Sequence, residues 1–172
     1  MAEDCLICQK HRGEGALVGP RVWEGREVIV THRPVARDSL TFLGYLFVET
    51  RRHAASLDAL TESEAMAVAR AVWVGARALR SELGPEFVFS AIAGRQVAHF
   101  HQHLFVRYPG TPLRHGWMEV DDWAGAPRGD AARVTALCAR LQEYFQRRGS
   151  HAWESPERTG PDGTGPIELP SV

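Results

Sequence analysis

Apolar residues recur along this chain with two periods, and the changes of period divide it into elements. Residues 26–31 (Arg-Glu-Val-Ile-Val-Thr) read as a strand closed by Pro34, after a polar, Gly-rich loop over 9–21. Residues 40–49 form a second, largely apolar strand in which Gly44 marks a bend or a close backbone approach. Arg51, Arg52 and His53 turn out of it. Thr61-Glu62-Ser63-Glu64 has the form of a capping box, and behind it Ala65, Val68, Ala69, Val72, Ala76, Leu79 and Leu83 recur at helical spacing until Gly84-Pro85 stops the run. Residues 87–92 and 97–107 read as an antiparallel strand pair joined by the turn Ala93-Gly94-Arg95-Gln96. A loop-rich stretch over 109–129 carries Trp117 and Trp123. Asp130 then caps a second helix with Val134, Leu137, Cys138, Leu141 and Phe145 inward, ending at Gly149. Strands, helix, strand pair, helix: the order predicts an α+β fold with an antiparallel sheet.

Length and charge limit what this fold can be doing. With 172 residues one domain over 1–150 is expected, followed by a Gly/Pro-rich, apolar-poor tail over 151–172 that reads as disordered. The charge is nearly balanced at −1, no basic run exceeds two arginines, and Lys10 is the only lysine. That pattern excludes an electrostatic footprint for nucleic acid. No apolar run is long enough to span a membrane, and residues 1–5 lack the basic and apolar regions of a signal peptide, so a cytoplasmic protein is expected.

The candidate chemistry lies in the strand over 97–107, where His99, His101 and His103 occupy alternate positions. In an extended strand alternate side chains share a face, which would line up three imidazoles, with Phe100, Gln102 and Leu104 on the other side. Packed for structure alone they would bury six ring nitrogens needing partners, each costing about 1–3 kcal/mol if unpaired. Catalysis and metal ligation both suit such a row. Cys5 and Cys8 form a Cys-x-x-Cys pair with no room for a preceding strand, which favours half a zinc site over a thioredoxin-like redox motif. Cys138 reads as a small core residue, and His11, His32, His115 and His151 as surface residues.

The segment His99-Phe100-His101-Gln102-His103-Leu104-Phe105 resembles the His-φ-His-φ-His-φ-φ signature of the histidine triad (HIT) superfamily, whose members are nucleotide hydrolases and transferases. Residues 44–53 (Gly-Tyr-Leu-Phe-Val-Glu-Thr-Arg-Arg-His) are similar to the family's Gly-His-x-Leu-Val-x-Pro-Lys-x-His segment, and residues 57–61 to the stretch before its helix. Cys5 and Cys8 stand where bacterial zinc-containing members carry a cysteine pair. The resemblance implies a HIT-like sheet of about five strands with two main helices, and a homodimer. It implies His101 as a nucleophile that forms a covalent nucleotidyl-imidazole, and His103 as a hydrogen-bond donor to a phosphate oxygen. Gly94 and Gln96 would supply donors to the same phosphate. It also implies structural Zn²⁺ on Cys5, Cys8, His53 and His99, and a nucleotide-type small-molecule substrate. Two other functions fit the same residues: a non-catalytic nucleotide- or partner-binding module, and a metalloenzyme using all three histidines. The chain departs from the family at Tyr45, where a histidine is usual, at Gln102, and at Val30-Thr31-His32-Arg33-Pro34, which lacks the usual ribose-binding Asp.

Overall fold

The computed structural model describes residues 4–149 except Asp38 and Arg95. The 151–172 tail and His151 lie outside the described residues. In chain order the elements are α1 (Leu6–His11), β1 (Arg21–Glu24), β2 (Val28–His32), β3 (Thr41–Phe42) and β4 (Tyr45–Thr50). They continue with α2 (Glu62–Leu83), β5 (Phe87–Ala91), β6 (His101–Arg107), β7 (Arg128–Gly129) and α3 (Ala131–Gly149). A single 3₁₀ turn, Leu57–Ala59, precedes α2. Five strands form one sheet in the order β1-β2-β4-β6-β5, each neighbouring pair antiparallel, while β3 and β7 pair separately. This is the α+β architecture expected from the order of elements.

The pleat sorts the strands into two faces. In the register of β4 against β6, Leu46 opposes Leu104 and Val48 opposes Gln102 on one side. On the other, Tyr45 opposes Phe105, Phe47 opposes His103 and Glu49 opposes His101. The first face packs on the two long helices. Gly75 of α2 approaches so closely that a Cβ there would meet Leu104 at 2.7 Å, with Phe145 of α3 and Leu46 just beyond. The core of Leu46, Val48, Leu79, Leu104, Leu137 and Leu141 is almost fully buried. The second face carries the histidines.

Local chemistry places the elements. Thr61 and Glu64 complete the capping box in both directions, and Gly84 ends α2 in the left-handed region at φ 56°. Asp130 accepts from the Arg133 backbone N–H at 2.9 Å at the start of α3. Gly44 has φ 86°, and a Cβ there would meet Leu83 at 2.7 Å and Val106 at 2.9 Å, so the apolar run over 40–49 is broken into β3 and β4.

Several details differ from the expectations. The 9–21 loop begins inside a short helix, α1, and is followed by an edge strand, β1. The buried stripe of α2 is Glu64, Val68, Ala71, Val74, Gly75, Ala78 and Leu79, so Ala65 and Ala69 face solvent. Three expected surface histidines are not on the surface. His32 is fully buried, its Nε2 accepting from the Gly44 N–H at 3.2 Å and its Nδ1 donating to the Arg33 carbonyl at 2.8 Å. Burial lowers its pKa, which keeps this cross-strand link neutral. His11 and His115 are both half-buried.

Glu64 stands at the junction of cap and ion pair. Arg52 grips both its carboxylate oxygens, at 2.8 and 2.7 Å, and these bonds together with those of Thr61 hold its pKa down at about 2. A depressed carboxylate stabilises above its unfolded pKa and loses that contribution as pH falls through the folded one. We expect Glu64→Ala to cost about 1–2 kcal/mol at neutral pH, allowing for the half-exposed arginine. Urea denaturation should show the difference from the native chain shrinking between about pH 4.5 and pH 2.

Candidate functional site

The histidine row is split by the fold. Strand β6 begins at His101, not at residue 97, because the chain turns just before it: the His99 N–H donates to the Val97 carbonyl at 2.9 Å. His101 and His103 therefore share the sheet face, with ring centroids 5.1 Å apart, while the His99 ring belongs to a different cluster. That cluster is Cys5, Cys8, His53 and His99, whose ligand atoms all lie within 4.8 Å of one another. Nδ1 of His99 sits 3.4 Å from Sγ of both cysteines, and Nδ1 of His53 sits 3.5 Å from Sγ of Cys8. Among the described residues this is the group that converges, not the three triad histidines.

Two rings of the row, His99 and His101, have a tautomer set by a neighbouring carbonyl. The Nε2 of His99 lies 2.8 Å from the Thr50 carbonyl, an obligate acceptor. The ring proton is therefore on Nε2, and the Nδ1 lone pair faces the sulfurs. For His101 the pattern is reversed: Nδ1 lies 2.7 Å from the His99 carbonyl, so Nδ1 carries a proton and the lone pair of the neutral tautomer is on Nε2. Nε2 of His101 has no hydrogen-bond partner among the described residues. Nδ1 of His103 lies 2.9 Å from the Tyr45 hydroxyl. Burial, His101 and then Arg33 hold the His103 pKa down at about 4, so this ring is neutral at physiological pH.

Two covers flank the half-buried His101 and His103 on this face. One is α1. Its Lys10 ammonium is buried and donates to Glu49 at 2.7 Å and to Thr31 at 2.6 Å, lying 4.9 Å from the centre of the Phe47 ring. His11 reaches the other Glu49 oxygen at 3.0 Å. Burial alone would raise the Glu49 pKa, but His11 and Lys10 outweigh it and the net shift is downward. Burial lowers that of Lys10 against the pull of Glu49. The other cover is the loop-rich 109–129 stretch, where Trp117 stacks on Phe105 with centroids 6.2 Å apart and meets Phe89 edge-on. Arg107 holds that stretch in place through the carbonyls of Thr111, Pro112 and His115.

The turn residues expected to accompany the row are on the surface. Gly94 is exposed, in the left-handed region at φ 60°. Gln96 is exposed and lines a cleft of about 370 Å³ with Asp4, Cys5, Leu6, His53, Val97 and Ala98, beside the cysteine pair. Among the described residues neither is hydrogen-bonded to a side chain of His101 or His103. Lys10, Glu49, Arg33 and the Tyr45–His103 bond escape a reading of the sequence. The one usable signal is the only lysine of the chain set between apolar and ligand residues.

No protein-family model matches the sequence, and no curated protein matches it. Solved structures do. A Zn-bound histidine triad family protein from Mycobacterium smegmatis superposes with a TM-score of 0.61 at 19% identity, over 87% of this chain and 99% of that one. A hypothetical histidine triad nucleotide-binding protein from Sulfolobus tokodaii gives 0.61 at 16% identity, over 83% and 93%. A Hit-like protein from Bartonella henselae, described as involved in cell-cycle regulation, gives 0.59 at 17%, over 83% and 97%. The chain has the histidine triad fold. The five-stranded antiparallel sheet and the two long helices stand as the resemblance implied. Among the described residues no helix is long and apolar enough to cross a membrane.

The buried Lys10–Glu49 pair makes a quantitative prediction. Removing Glu49 leaves the Lys10 ammonium without a counter-charge in a dry site, removing Lys10 leaves Glu49 with His11 alone, and removing both leaves neither charge. Glu49→Leu alone should destabilise by about 3–5 kcal/mol, and Lys10→Met with Glu49→Leu by much less than the two single changes added together. A double-mutant cycle in urea reads both.

Proposed function

We propose that this protein is a hydrolase or nucleotidyl transferase that cleaves a phosphoanhydride, phosphoramidate or phosphoester bond to a nucleoside monophosphate through a covalent intermediate on His101. The observation that carries this reading is the 2.7 Å contact of His101 Nδ1 with the His99 carbonyl, with no partner on Nε2 among the described residues. A neutral imidazole attacks phosphorus through an unprotonated nitrogen, and this geometry supplies one. In the first step Nε2 bonds to phosphorus while the bond to the leaving group breaks. The leaving group departs with the electron pair and takes a proton from solvent. Positive charge then spreads over the imidazole, and the His99 carbonyl accepting from Nδ1–H stabilises it. In the second step water, or another acceptor hydroxyl, attacks phosphorus, loses its proton to solvent, and the His101 nitrogen leaves with its lone pair restored.

His103 is the donor to a non-bridging oxygen in this reading. A neutral ring can serve in that role when its proton is on Nε2, since the N–H is a donor without a net charge. Gly94 and Gln96 belong to the exposed turn from which further donors would come. The usual ribose carboxylate is missing, and Thr31, committed to Lys10, faces the same side of the sheet. A homodimer is part of the reading, supported by the edge strand β5 and its half-exposed Phe87.

Cys5, Cys8, His53 and His99 would hold Zn²⁺ as a structural ion. In a zinc tetrahedron with ordinary Zn–S and Zn–N bonds, sulfur and nitrogen ligands are about 3.6 Å apart; the three contacts here measure 3.4, 3.4 and 3.5 Å. The Thr50 carbonyl is the outer partner that directs the His99 lone pair inward. Burial, followed by the adjacent Cys5, raises the Cys8 pKa, an arrangement that a central cation reverses. Four protein ligands close the site, so the ion would order the backbone and leave the chemistry to His101.

Two measurements test this. Incubation with a panel of adenylated compounds should trap a nucleotidyl group on the native protein and none on His101→Ala, with turnover falling at least ~1,000-fold. Binding without any adduct on the native protein would instead make the chain a binding module. Elemental analysis of the purified protein should find about one zinc per chain, and Cys5→Ser/Cys8→Ser should lose it. Stoichiometric metal retained by that variant would move the ion to the three histidines.

A further inference from the structure

Tyr45 lies deep in the sheet face, stacked on Phe105 with ring centroids 5.2 Å apart, and its hydroxyl is 2.9 Å from His103 Nδ1. That contact alone permits two arrangements, since a phenol and a neutral imidazole can each donate to the other. Burial decides between them. Tyr45 is only 5% exposed, and among the described residues His103 is the one hydrogen-bond partner of its hydroxyl, so the phenolic proton has Nδ1 as its acceptor. The Arg33 guanidinium lies over the Tyr45 ring, 4.0 Å from its centre. Arg33 is in turn held by an ion pair with Asp121 of the 109–129 stretch, whose carbonyl accepts from Arg128.

We infer that Tyr45 is a positioning residue for His103: its hydroxyl, on a ring held between Phe105 and Arg33, donates to Nδ1 and keeps the ring proton on Nε2. The Tyr45–His103 bond fixes which nitrogen of His103 can offer a proton to a phosphate oxygen. Through the Asp121–Arg33 ion pair the 109–129 stretch steadies the phenol that makes it. Where the resembling family carries a second titratable ring, this chain has a phenol. Burial raises its pKa, so it remains a donor across the physiological range. The inference deepens the proposed function and rests on it for its catalytic consequence, while its structural content stands alone.

The test is the ¹⁵N pattern of the His103 imidazole in the full-length protein, read by NMR at neutral pH. The native chain should show a protonated Nε2 and a bare, hydrogen-bonded Nδ1. Tyr45→Phe retains the ring and its stacking but removes the donor, and should convert this to a mixture of tautomers. Arg33→Met, which leaves the phenol in place, should shift the pattern the same way by less and serves if Tyr45→Phe does not fold. A proton on Nδ1 in the native protein, or an unchanged pattern in the folded variants, overturns the inference. In turnover of an adenylated substrate, Tyr45→Phe should lower kcat about tenfold with KM nearly unmoved, less than the ~100-fold or more for deleting a transition-state donor outright. Should the native protein form no nucleotidyl adduct, the proposed function fails while the nitrogen spectrum still decides the role of Tyr45.

Discussion

Residue His99 is held at both ring nitrogens, and its main chain carries the consequence. Its Nε2 is fixed by the Thr50 carbonyl at the end of β4, its Nδ1 faces two sulfurs that arrive from the start of the chain, and its carbonyl accepts from His101. The orientation of the middle ring is thus inherited from a residue that faces away from it. A shift of the His99 backbone by a fraction of an ångström would change the direction of the His101 lone pair, because a hydrogen bond weakens steeply when bent. Everything about the site's geometry depends on that carbonyl staying where it is.

The sheet supplies the rest through alternation. One face is spent on packing against α2 and α3, where Gly75 permits close contact with Leu104. The opposite face is left for chemistry and is narrowed from both ends, by the charged underside of α1 and by Trp117. These covers differ in kind. The α1 cover is a dry ionic cluster in which Lys10, Glu49, His11 and Thr31 satisfy one another, which tends to specify geometry more than it adds stability. The tryptophan cover is aromatic stacking on Phe105 and Phe89.

Much of the fold was legible in the sequence because it depends on local rules. The capping box at Thr61, the break at Gly44, the antiparallel pair ending in β6 and the cap at Asp130 each follow from residues within a few positions. The four ligand residues were legible only through resemblance, since nothing local links Cys5 to His99. What escaped notice is instructive. Helix α1 has six residues and turns its lysine inward, so it shows no apolar period. In β1 only Val22 is buried, too little to register as alternation. The face of α2 was misread by a step because alanines at 65, 69, 71 and 78 weigh the same in sequence, and only packing distinguishes them. The Tyr45–His103 contact depends on strand register, which a sequence does not state.

The cysteine pair and its imidazole partners are separated by as many as 94 positions, and that spacing bears on how the chain is made. Synthesis runs from the amino terminus, so both thiols emerge from the ribosome long before the loop at His99 exists. During that interval they are exposed to oxidants, stray metal ions and each other. The amino-terminal segment can thus be oxidised or wrongly coordinated during translation, before the sheet that would shelter it has formed.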